Sequence, residues 1–105
     1  MLSKSYLLIT AVLALIVSDV AQAKTIQVTI KNRTFAPAEI HAKVGDTVEW
    51  VNEDPVPHTA TTKGGWNLNI PPKKTASEVM KKAGEFNYHC SVHPSMKGHI
   101  SVAAQ

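Results

Sequence analysis

One cysteine, Cys90, stands in a chain of 105 residues, so no disulfide can form within it. No apolar run reaches the roughly 20 residues that a membrane-spanning helix needs. No basic run exceeds two residues (Lys73-Lys74 and Lys81-Lys82), the net charge is only +3, and no RNA-binding signature is present. A nucleic-acid binder would need a dense basic stripe, so that class is excluded. The surplus of positive charge instead favours acidic partners. Internal repeats, low-complexity segments and linkers are also missing, which leaves one small domain.

The first 23 residues read as separate from that domain. Lys4 lies in a short polar start, Leu7 to Val17 is apolar apart from Thr10, and Ala21-Gln22-Ala23 offers a small-x-small cleavage site. This is the layout of a secretory signal peptide, and it predicts export to the periplasm. Asp19 argues against an uncleaved anchor, and Lys24 in place of a cysteine argues against a lipoprotein, so no stable membrane association is expected. The remaining domain, residues 24–105, is close to the ~70–80 residues at which a hydrophobic core alone gives little stability and a staple helps. A metal can serve where a disulfide cannot. A chain this short does not accommodate a multidomain enzyme.

Residues 24–105 carry the period-two alternation of half-buried strands. Thr25 to Lys31 places Ile26, Val28 and Ile30 on one face, and Asn32-Arg33 turns the chain. A short extended piece, Glu39 to Ala42, precedes a turn at Val44-Gly45-Asp46. Thr47 to Asn52 is a strand with Val48 and Trp50 on one side. Two prolines in Asp54-Pro55-Val56-Pro57 impose an irregular loop. Further extended pieces are predicted at His58–Thr62, around Trp66, Leu68 and Ile70, and at Ala76–Met80. In Glu85–Cys90, Phe86, Tyr88 and Cys90 share one face and Glu85, Asn87 and His89 the other. Gly98–Val102 closes the chain. Six to eight short strands punctuated by glycine and proline predict an all-β fold, a small Greek-key sandwich burying its aromatic residues between two sheets.

The chemistry concentrates in Tyr88-His89-Cys90-Ser91-Val92-His93-Pro94-Ser95-Met96, where a strand ends and a loop begins. Cys90, His93 and Met96 follow at spacings of three. Thiolate, imidazole and thioether together suit copper. His58, beside the rigid proline loop, is the candidate fourth ligand. Two histidines and a cysteine in a plane with a weak axial methionine define a type 1 blue-copper site. Zinc is the chemical rival, but structural zinc takes four Cys/His ligands and catalytic zinc seldom uses methionine. His89 points away from Cys90 by strand alternation. His41 and His99 have no ligand-like spacing and read as surface residues.

The segments VNEDPVPHTA, YHCSVHPSMKGHISV and AEIHAKVGDTVEWVN resemble the cupredoxins, and the two residues between His93 and Met96 are similar to the amicyanin branch. The resemblance covers nearly all of residues 24–105. It implies a small blue-copper carrier, not an enzyme, with one copper ion held by His58, Cys90, His93 and Met96 and no catalytic residue. It further implies a monomer that docks briefly on redox partner proteins, such as a dehydrogenase, a cytochrome c or an oxidase. Where the family commonly has asparagine after the first ligand, this chain has Thr59, whose hydroxyl can take over part of that role. A periplasmic copper chaperone or store is the alternative, because the same ligands would serve it. A copper enzyme would need a second copper site with more histidines.

Overall fold

A computed structural model describes residues 22–105; nearly all of the expected signal segment lies outside them. Nine strands follow in order: β1 (Thr25–Lys31), β2 (Thr34–Ala36), β3 (Glu39–Lys43), β4 (Thr47–Asn52), β5 (His58–Thr61), β6 (Asn67–Ile70), β7 (Thr75–Val79), β8 (Gly84–His89) and β9 (Lys97–Ala103). That is more than the six to eight expected. The extra strand is β2, three residues around Phe35 that are too short to show a period. Among the described residues there is no helix, and hence none long and apolar enough to cross a membrane.

The strands form two sheets, β2-β1-β4-β7 and β3-β9-β8-β5-β6. β1 runs parallel to β4, and β3 parallel to β9, so the chain must pass repeatedly from one sheet to the other. The alternation explains why. Val28 and Ile30 of β1, Val48 and Trp50 of β4, and Ile100 and Val102 of β9 are all buried, while the residues between them face outward or lie half-buried. Each fully buried aliphatic or aromatic side chain of this kind stabilises the fold by about 1.5–3 kcal/mol. Phe35, Tyr88, Trp50 and Trp66 form a contact series through the core, with ring centroids 4.7, 5.5 and 6.4 Å apart in turn. Burial there pushes the Tyr88 hydroxyl up to about 12.

Two expectations shift in detail. The strand predicted at Ala76–Met80 runs Thr75–Val79, with Ala76 and Glu78 half-buried, Val79 44% exposed and Met80 buried just beyond the strand. The extended piece predicted at His58–Thr62 runs His58–Thr61. His58, Thr59 and Ala60 are all buried, because β5 lies inside its sheet between β8 and β6. The Asn32-Arg33 turn has φ of 52° and 56°, the left-handed pair that matches the twist of a two-residue hairpin between β1 and β2.

Candidate metal centre

The β5–β8 pairing assembles the site. Thr61 lies opposite His89, so His58 and Thr59 run alongside the chain just after β8, where Cys90 sits. The loop after Cys90 closes on itself: Met96 N–H donates to the His93 carbonyl at 2.9 Å, and Cys90 N–H donates to the Met96 carbonyl at 3.1 Å. Through these bonds the short loop brings His93 back over Cys90. His58 Nδ1 and His93 Nδ1 are each 3.8 Å from Cys90 Sγ, and the two rings lie 5.0 Å apart. The nearest donor atoms of the three side chains all fall within 4.8 Å of one another. His58 and Cys90 are buried and His93 is half-buried.

The donor set fits a metal. Bonds of roughly 2.3 Å to sulfur and 2.05 Å to nitrogen, meeting at about 120°, place the two outer atoms about 3.8 Å apart. Both nitrogen–sulfur separations have that value. Met96 is buried at the far end of the same loop. His89 is half-buried on the opposite side of its strand and takes no part in the cluster, as strand alternation predicts.

His58 is held from behind. Its Nε2 lies 2.8 Å from Asp54 Oδ2, which directs Nδ1 toward Cys90. Asp54 also accepts the N–H groups of Asn32 and Arg33 at 2.7 and 2.9 Å. Burial works against ionisation of this carboxylate, yet the hydrogen bonds from Arg33, His58 and Asn32 outweigh it and hold Asp54 below the usual carboxylate range. A carboxylate behind a ligating imidazole fixes its tautomer and raises its basicity.

The cupredoxin-like domain family matches residues 5–102. This chain is a cupredoxin. It is 37% identical over 84 residues to amicyanin from Paracoccus denitrificans, covering 73% of this chain and 64% of that protein's length. It is 31% identical over 90 residues to the methylamine utilization protein MauL of Methylorubrum extorquens, covering 81% and 79% of the two chains. Its fold superposes on a solved amicyanin variant in its Cu(I) form with a TM-score of 0.69 at 33% identity, over 80% of this chain and 86% of that one. A second variant, in a reduced Cu(I) form at pH 4, gives 0.68 at 32% identity, over 74% and 81%.

In this cupredoxin Thr59 meets the cluster through both its backbone and its side chain. Its N–H donates to Cys90 Sγ at 3.3 Å, and its hydroxyl accepts the Ser91 N–H at 2.8 Å, pinning the start of the loop that follows Cys90. Two supporting residues were not visible as such in the sequence. One is Asp54, which read only as part of a proline-stiffened loop. Its spacing of four before His58 was the available sign. The other is Asn52, whose amide donates to the carbonyls of Val56, Ile70 and Pro71 while its oxygen accepts the Asp54 N–H at 2.9 Å. One buried side chain thus fastens the whole 53–57 loop in place.

Proposed function

We propose that this cupredoxin is an exported single-electron carrier with one type 1 copper ion held by His58, Cys90, His93 and Met96. The observation that carries this reading is the equal 3.8 Å approach of two imidazole nitrogens to one buried cysteine sulfur. Copper bound there supplies a Cu(II)/Cu(I) couple. The residues supply the rest. Cys90 and His58, at 0% and 1% exposure, exclude water from the centre. The N–H of Thr59 on Cys90 Sγ draws off thiolate charge. Asp54 and the two-sheet scaffold keep His58 in one orientation in both oxidation states, so little rearrangement accompanies electron transfer.

His93 is the electron port, because it is the least buried member of the cluster. Around it Val92 is 56% exposed, and Pro55, Pro57 and Pro94 are exposed as well. They form an apolar rim suited to brief docking on a redox partner such as a dehydrogenase, a cytochrome c or an oxidase; such interfaces are small. Lys63, Lys73, Lys74 and Lys97 steer an acidic partner toward it. Residues 1–23 are the cleaved signal peptide, residues 24–105 the copper domain, and the periplasm the place of action. The protein works as a monomer and is not an enzyme.

The test is direct. Cu(II) added to the purified protein produces intense visible charge-transfer absorption that disappears reversibly on reduction. A protein that takes up copper but stays pale in the Cu(II) state overturns the type 1 assignment. Colourless Cu(I) binding with ready transfer to an acceptor points to the chaperone instead.

A further inference from the structure

The outer face of the five-stranded sheet gathers side chains that are far apart in sequence. β3 pairs with β9 so that Glu39 lies beside His99 and His41 beside Ser101. β9 pairs with β8 so that His99 lies beside Asn87 and Ser101 beside Glu85. Two cross-strand rows result, Glu39–His99–Asn87 and His41–Ser101–Glu85, all outward-facing. Neighbouring strands lie about 4.8 Å apart, so His41, Glu85 and His99 stand around Ser101 within side-chain reach of one point above it. Ser101 is small and leaves that point open.

Three of these groups are already oriented. His99 Nδ1 is 2.7 Å from Asn87 Oδ1, and His99 Nε2 is 2.6 Å from Glu85 Oε2. The other Glu85 oxygen accepts the Ser101 hydroxyl at 2.8 Å. Asn87 thus holds the Nδ1 edge of the ring, and the Nε2 edge faces the carboxylate. A ring nitrogen held against a fixed oxygen is the usual arrangement behind a ligating imidazole, and here it leaves Nε2 beside the carboxylate. The hydrogen bonds from Ser101 and His99, reinforced by the charges of the His99 and His41 rings, hold Glu85 below its usual range, so the carboxylate is ionised and ready to bind.

We propose that His99, Glu85 and His41 form a second cation site on this outer face, which takes one divalent ion of the zinc class with water completing its shell. His99 Nε2 and Glu85 Oε2 supply the prepared pair, and His41 swings in from β3 as the third ligand. Nitrogen–metal bonds near 2.0–2.1 Å and oxygen–metal bonds near 2.0–2.2 Å require only a slight opening of the pair. The site is separate from the metal centre. Glu85 and Cys90 lie on opposite faces of the β8 segment, about 16 Å apart along the chain at roughly 3.3 Å per residue.

Zinc is titrated into the copper-loaded, reduced protein while the imidazole signals of His41 and His99 are followed by NMR. The Cys90→Ala variant serves as a second arm, so the result does not depend on the copper reading. The expected result is that both imidazoles shift together and saturate with one zinc ion, while the signals of His58 and His93 in the copper-loaded arm stay in place. His41→Gln and Glu85→Gln each weaken zinc binding by about tenfold or more, as does His99→Gln. No saturating shift at millimolar zinc, a shift of His99 without His41, or unchanged affinity in the variants overturns the proposal.

Discussion

The five-stranded sheet has the His58–Cys90–His93 cluster on its inner side and the His41–Glu85–His99 group on its outer face, and the two are built on opposite principles. The inner cluster is largely buried, its side chains arrive on loops and strand ends, and two of the three are held by a further hydrogen bond. Asp54 stands behind His58, and Thr59 beside Cys90. The outer cluster is exposed, with the His99 and Glu85 side chains 31% and 66% accessible, and it exists only because three strands are in register. Burial makes the inner site rigid and selective, because polar groups removed from water must keep their partners or cost stability. Exposure makes the outer site weak and labile, because water competes for every group there.

The largest break in this comparison is expected from Cys90→Ala. It removes the only thiolate in the chain, so the visible absorption of the Cu(II) form should vanish, while zinc uptake at the outer face should persist. Loss of both together, measured by absorbance and by zinc titration on the same sample, would mean that the two clusters are not independent.

Asp54→Ala comes next. It strands the Asn32 and Arg33 N–H groups and His58 Nε2, of which His58 is fully enclosed. Each unsatisfied buried group costs about 1–3 kcal/mol, so denaturant unfolding should register a loss of about 2–4 kcal/mol. The potential should also rise, because removing a negative charge beside a ligand favours Cu(I). A wild-type denaturation midpoint for this variant would show that Asp54 is not the clamp described.

Gly98→Ala tests the scaffold between the clusters. Gly98 lies opposite Tyr88, and a methyl group there would come within 2.2 Å of the Tyr88 ring. The ring must move, and overpacking of this sort costs about 1–3 kcal/mol. A shift in the unfolding midpoint with little change in the copper spectrum is expected. The smallest effects belong to His89→Ala and Glu85→Gln. Neither should alter the colour of the copper form. His89→Ala should also leave zinc binding intact, whereas Glu85→Gln should weaken it. A loss of colour on replacing His89 larger than that on replacing His93 would overturn the assignment of the two histidines.

Much of the molecule was legible before folding was considered. The alternation in Thr25–Lys31, Thr47–Asn52 and Glu85–Cys90 marked strands and their inward faces, because a period of two is a local property of extended backbone. Cys90, His93 and Met96 could be read together because they are close in sequence, and a loop that short can hardly avoid gathering them. The sandwich itself followed from short strands broken by glycine and proline. What the sequence left open depends on pairing between distant strands. His58 could be named as a candidate from its place beside the proline loop, but it is 32 residues from Cys90, and only the β5–β8 contact places Nδ1 beside the sulfur. Asp54 became a clamp only when the β1–β2 turn presented two N–H groups to it. His41 and His99 have no meaningful spacing along the chain, and the parallel β3–β9 register brings them around Ser101. Local periodicity and loop length are written into neighbouring residues, whereas strand register is decided by the whole core closing at once, and every contact that bridges two strands waits for that closure.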